Sequence, residues 1–223
     1  MHMKKRTLIN QIGRAALLVP MCLIAFSFVS CSDDDDDDSS DDTVSGKISG
    51  HYYVDLGLSV KWATCNIGAD SPEDYGNYYA WGETEIKDEY TESNSVTWDV
   101  EMDDISGNAE YDAATANWGS KWRMPTSAEI EELVDDCTWE WTTLNDVNGY
   151  LVTGSNGNSI FLPAAGWCDG TSLNGLGERG NYWSSTPEES NIQHACGLRF
   201  SSSYHYSNVY TRDYGRTVRP VAE

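Results

Sequence analysis

From Ser32 to Asp42 eleven consecutive residues carry no apolar side chain, and eight of them are aspartate. Such a run has nothing to bury and repels itself, so it reads as a solvated tether through which no fold can continue. Beyond it lie 181 residues counted from Thr43, the usual size of one domain and enough for a real core. The whole chain carries −22. All thirty-six acidic residues lie after residue 30, against ten basic ones, giving −26 there and −18 without the eight tether aspartates. That field excludes nucleic acid and anionic lipid headgroups as partners and favours solubility and cations.

Ahead of the tether stand Lys4, Lys5, Arg6 and Arg14, then an apolar run from Ala15 to Val29 that ends at Ser30 and Cys31. This is a signal peptide's layout; the run is shorter than the ~20 residues a membrane span needs, and Pro20 interrupts it. The segment FSFVSC resembles a lipobox, with small Ser30 before the cysteine and Phe28 bulkier than the usual Leu. Cys31 is the expected lipidation site. At about 0.8 kcal/mol per buried methylene its acyl chains anchor the protein to a membrane without spanning it. An acidic block directly after such a cysteine resembles the export tag of some Gram-negative lipoproteins. The expected location is the outer membrane, lipid-anchored and cell-surface exposed, with residues 1–30 as signal, 31–49 as lipidated tether and 50–223 as the domain.

Within the domain, HYYVDLGLSVKWATCNIGA reads as two short strands around Gly57, with Val54, Leu56, Val60, Trp62 and Ala63 buried. Residues 70–108 show neither period and read as structured loop. A short helix is predicted over 112–118. A clearer one follows Pro125, where Thr126 and Glu129 form a capping box and Ile130, Leu133 and Val134 share a face. From Thr138 the pattern alternates, with turns predicted at Asn148-Gly149 and from Gly154 to Gly157. Three strands are predicted near 194–200, 205–212 and 216–221.

Most features that could carry chemistry have a duller account. The pairs Asp103/Asp104, Glu131/Glu132 and Asp135/Asp136 suit a solvated face better than a glycosidase. His194 precedes Cys196, but nothing orients the base. The loop Gly154-Ser155-Asn156-Gly157 opens no helix and so lacks a phosphate cradle's context. Asp146, Asn148 and Gly149 leave calcium open, although no twelve-residue loop closes on a bidentate Glu. Cofactors are otherwise expected to be none. Cys65, Cys137, Cys168 and Cys196 show no zinc spacing and are disulfide candidates; of three pairings, Cys65 with Cys137 and Cys168 with Cys196 is the one expected. Trp62, Trp122, Trp139 and Trp141 belong with the core.

The tail from His194 to Tyr214 differs, because it interleaves His, Tyr, Ser, Asn, Arg and Asp with only Leu198, Phe200 and Val209 to face inward. Tyrosine gives contact area at small entropic cost, and Ser and Asn give adaptable hydrogen bonds. The expected contacts are His194, Arg199, Tyr204, His205, Tyr206, Asn208, Tyr210, Arg212, Asp213 and Tyr214, with Trp183 as a neighbouring aromatic platform.

The blocks YVDLGLSVKWATCNIGA, DYGNYYAWGETE, WRMPTSAEIEEL, FLPAAGW, NYWSSTP and GRTVRPV closely resemble the FISUMP (Fibrobacter succinogenes major paralogous) domain and cover nearly all of 52–221. The resemblance implies an α+β, C-type-lectin-like fold of the formylglycine-generating-enzyme group, with short antiparallel strands, hairpins and one or two helices. It implies a surface lipoprotein module and supplies no active site. The late cysteine pair of formylglycine-generating enzymes has no match, since GRTVRPV stands where it would fall, and the EPN, QPD and WND triplets of sugar-binding C-type lectins are absent. The tail is also similar to the variable face of proteins diversified by diversity-generating retroelements. Adenine mutagenesis of Asn-type codons yields no Lys, Glu, Met or Trp, and residues 191–214 contain none of these, although Gln193 needs another origin. The expectation is a non-enzymatic surface protein that binds an external protein or glycan through its C-terminal sheet face. The alternatives are a structural envelope or fimbrial component and a formylglycine-generating-type enzyme.

Overall fold

The computed structural model describes residues 44–223. The signal segment, Cys31 and the acidic tether fall outside them. Four antiparallel sheets carry the fold. The first, in the order β1-β2-β3-β12, is built from β1 (Gly46–Ile48), β2 (His51–Val54), β3 (Lys61–Ala63) and β12 (Val221–Ala222), so the last strand joins the sheet of the first three by pairing with β3. The second runs β4 (Thr138–Leu144), β5 (Val147–Thr153) and β6 (Ser159–Pro163) as a meander. A small ribbon pairs β7 (Trp167–Asp169) with β8 (Ser172–Asn174). The last sheet places β10 (His194–Ser201) between β9 (Arg179–Pro187) and β11 (Tyr204–Thr211).

Helix is scarce: α1 (Ala113–Trp118) and α2 (Ser127–Asp136) account for most of it. Strands make up 38% of the described residues and helix 11%, which replaces the expected α+β, C-type-lectin-like class with a mostly β architecture of small sheets. The physical reason lies in the long stretch over 64–112, which stays irregular yet buries Ile67, Tyr79, Trp81, Tyr90 and Ile105. Its apolar residues are too widely spaced for helix or strand. They are drawn inward singly rather than as a face.

Several local expectations hold. Val54, Leu56, Val60, Trp62 and Ala63 are all buried around the β2–β3 pair. Thr126 Oγ1 accepts from the Glu129 amide at 3.3 Å while Glu129 Oε2 accepts from the Thr126 amide at 2.8 Å, the reciprocal capping box. Arg123 grips the same carboxylate with both terminal nitrogens, at 2.8 and 2.6 Å. Ile130 and Leu133 then face a core shared with Leu198, Phe200, Val152 and Trp62.

Others are corrected. The first hairpin turns at Asn145 and Asp146, both in the left-handed region at φ 45° and 67°, as a two-residue loop joining β4 to β5 requires. Asn148 and Gly149 lie inside β5, where a Cβ on Gly149 would collide with the Leu162 carbonyl. The segment 216–221 is no strand until Val221. It threads through single bridges from Arg216 to Tyr79, Thr217 to Tyr182 and Val221 to Arg123. The nine-residue β9 is additional. Its six residues from Gly180 to Ser185 are all buried, so no inside–outside alternation marks it in the sequence.

The cysteine pairing is also corrected. Cys65 is disulfide-bonded, but Cys137, Cys168 and Cys196 are free, so neither expected bridge forms. Cys168 lies on β7 bridged to Gly215, whereas Cys196 sits opposite Val209 in β10; the two belong to different sheets. Burial pushes all three free thiols up to about 11, and the nearby Asp136 and Glu132 add to this at Cys137.

Buried Asp112 organises the irregular stretch. One carboxylate accepts from the amides of Gly107, Ala114, Thr115 and Met124 at 2.8 to 3.2 Å. Asp112→Ala orphans these donors, at roughly 1–3 kcal/mol for each that finds no water. A thermal melt should show a loss of about 3 kcal/mol or more, with Asp112→Asn milder; an unchanged melting temperature would refute the account. The raised thiols make a second prediction. At neutral pH the thiolate fraction of a thiol raised from 9 to about 11 is about a hundredfold below that of an ordinary cysteine. Alkylation of native protein should therefore be slow at pH 7 and quicken about tenfold per pH unit towards 11. Rapid labelling of any of the three at pH 7 would contradict this.

Candidate functional site

The β9–β10–β11 sheet carries most of the residues expected to bind, and its register sorts them onto two faces. Leu198 pairs with Ser207 and Tyr182, and Phe200 with His205 and Gly180. This face packs towards α2 and the second sheet, with Gly180 leaving room for the Phe200 ring, which a Cβ there would strike. His205 stacks on Trp139 at 4.6 Å and 7°, and burial lowers its pKa. Ser207 Oγ donates to Glu131 Oε1 at 3.3 Å. His194, paired with Thr211, follows the same alternation. The two histidines are therefore separated from the tyrosines they were expected to join.

The opposite face brings together Arg199, Tyr204, Tyr206, Asn208 and Tyr210. Arg199 pairs with Tyr206 and Asn181, Gly197 with Asn208 and Trp183, and Ala195 with Tyr210. β11 is an edge strand, so its far side has no neighbour in the sheet. Tyr206 is 39% exposed, and its ring lies 5.2 Å from that of Tyr204 at 38°. The register shifts between Ala195 and Gly197, where β9 supplies the extra residues between Trp183 and Pro187. Such a bulge re-aims side chains.

Three expected contacts are structural. Trp183 lies on this face but is fully buried under the chain around Tyr79 and Trp81, with its Nε1 donating to the Tyr79 carbonyl at 2.8 Å, so it offers no platform. Arg212 is 1% exposed: Nη1 donates to the carbonyls of Thr97 and Val100, Nε donates to that of His194, and the guanidinium lies 4.2 Å from the Trp81 ring centroid. Asp213 is buried as well, at 6%. Tyr214 is half-buried and flanks Arg216.

Arg216 is the residue that sequence reasoning missed. It is 2% exposed, with its guanidinium 3.7 Å from the Tyr210 ring centroid and 5.0 Å from that of Trp183. Burial lowers its pKa to about 10, and the charge of Arg199 presses in the same direction. Tyr210 beneath it is raised to about 12 by burial, against the pull of Arg216. The only signal for it in the sequence is an arginine following a tyrosine-rich stretch. That its Nε and Nη1 find no hydrogen-bond acceptor is a tertiary property.

At the calcium candidates, Asn148 is already engaged, accepting from Thr143 Oγ1 and donating to the Gly177 carbonyl. Among the described residues no group of three His, Cys, Asp or Glu side chains is placed to hold a metal.

A family model described as a domain of unknown function, DUF8237, matches residues 122–221, which contain α2 and every strand from β4 to β11. No curated protein and no solved structure matches the chain.

Proposed function

We propose that this is a lipid-anchored protein of the bacterial outer surface, of the FISUMP type, that binds an external protein or glycan through the exposed β11 side of the β9–β10–β11 sheet. The observation that carries the reading is the register of β10 and β11, which sets Arg199, Tyr204, Tyr206 and Asn208 side by side on one face. No apolar side chain of β11 shares that face, because Val209 belongs to the other. Such a surface gains little from burial in its own fold, and its tyrosines and amide suit adaptable contact. The acidic tether after Cys31 would hold the domain away from the membrane. Diversification by a retroelement fits the composition of 191–214, and a template repeat and reverse transcriptase beside the gene are its expected signature.

The reading predicts that Tyr204→Ala, Tyr206→Ala and Asn208→Ala together abolish binding to the cognate surface. All three positions are no more than partly buried, so the melting temperature should fall by a few degrees at most. Binding of the triple variant to cells or glycan arrays, measured beside its melting curve, checks this. Undiminished binding would move the site elsewhere.

A further inference from the structure

Three arginines of the C-terminal segment are buried to the same degree, and they differ in one respect. Arg212 and Arg219 are each 1% exposed and donate their N–H groups to carbonyls: Arg219 reaches those of Ala63, Thr64 and Phe161 and also Asn66 Oδ1. Arg216, at 2%, has Nε and Nη1 buried with no hydrogen-bond partner. Arg199 Nε is buried and unpartnered too. Among the described residues neither Arg199 nor Arg216 has an ion pair within 4.0 Å. Asp213 is the nearby carboxylate, yet its own Oδ1 is unpartnered, and its effect on Arg216 is weaker than that of Tyr210, Arg199 or Tyr214.

A buried guanidinium without acceptors for its N–H groups is costly, and the charge of half-buried Arg199 adds to the cost at Arg216. Aromatic rings compensate the faces of Arg216 through Tyr210 and Trp183, but not the in-plane N–H groups. What such a pair lacks is a planar oxyanion, for which the guanidinium fork is matched.

We propose that Arg199 and Arg216 form the anion-accepting end of the sheet-face site and that its ligand is a saccharide bearing an isolated carboxylate, of the uronic-acid class. This rests on the reading of that face as a binding surface. Arg199 supplies the half-exposed side of the pair and Arg216 the buried side. Two features favour a sugar over an acidic peptide. The tilted rings of Tyr204 and Tyr206 offer a platform for pyranose C–H groups beside the amide of Asn208. No aliphatic side chain of β11 lies on this face, so the contact there is made by rings and an amide. The chain's strong negative charge argues against a polyanion and for a single carboxylate.

The test titrates the detergent-solubilised full-length protein with glucuronate and galacturonate, with glucose, galactose and acetate as controls, followed by saturation-transfer NMR. The uronates should bind at least about tenfold more tightly than the neutral hexoses or acetate, and Arg199→Gln and Arg216→Lys should each weaken them by at least about tenfold. Arg199→Gln carries the test if Arg216→Lys fails to fold. Equal binding of uronate and hexose, or uronate binding undiminished by Arg199→Gln, overturns the proposal. Should the face bind a neutral glycan or a protein, with loss in the Tyr204/Tyr206/Asn208 variant but no preference for uronates, the surface reading survives and the anion site falls. Uronate binding lost in the arginine variants but kept in that triple variant would overturn the assignment of a sugar.

Discussion

A domain with this much irregular chain must find hydrogen-bond partners for main-chain groups that sheets and helices would ordinarily pair. Buried side chains meet that demand here. Arg219 joins the carbonyls of Ala63 and Thr64, at the end of β3 and just after it, to that of Phe161 in β6, so one guanidinium ties two sheets together. Arg212 binds the loop carbonyls of Thr97 and Val100 to His194 at the start of β10. Trp81 and Trp183 donate through Nε1 to the carbonyls of Ser184 and Tyr79. Asp112 does the converse, accepting from amides. Several charges are thus taken out of water in a small domain, and for Arg212, Arg219 and Asp112 the hydrogen bonds offset the desolvation.

The same demand positions the candidate site. The loop held by Arg212 lies against the start of β10, and the bridge from Tyr79 to Arg216 fixes where the chain passes after Tyr214. Arg216 therefore reaches the sheet face from a segment that is not part of the sheet. Trp183, beside the bulge in β9 and on the same face, supplies one wall of the aromatic surround. The site's cation is set by loop topology and its tyrosines by strand register, and no single element specifies both.

That division explains what the sequence made legible. Local signals served where one element's own chemistry decides the outcome: the Thr126–Glu129 capping box, the buried alternation around Trp62 and the turn after Gly154. They failed where tertiary context decides. Asn148-Gly149 has turn chemistry, yet the adjacent Asn145-Asp146 takes the left-handed positions and leaves Gly149 inside a strand for the close approach of Leu162. In the tail, tyrosines and histidines look alike as contact residues, but a period of two puts His205 on Trp139 and Tyr204 and Tyr206 on the other face. The arginines are the hardest case, since Arg212, Arg216 and Arg219 are indistinguishable in sequence and differ only in the acceptors the fold brings to them.

An unpaired cation inside so acidic a chain looks contradictory until range is considered. At physiological ionic strength the field of surface carboxylates decays over a Debye length of about 8 Å, so it acts on an approaching molecule as a whole. A nucleic acid or a heavily sulfated polymer would meet repulsion along its length before any contact. A buried guanidinium acts differently, at contact and in a medium far less polarisable than water, where one hydrogen-bonded carboxylate gains much more than it does at the surface. The two scales together discriminate by charge density rather than by sign. Sparse negative charge would pass the field and be held, whereas dense negative charge would be turned away, so a protein that keeps both features has a physical means of telling a single carboxylate from a polyanion.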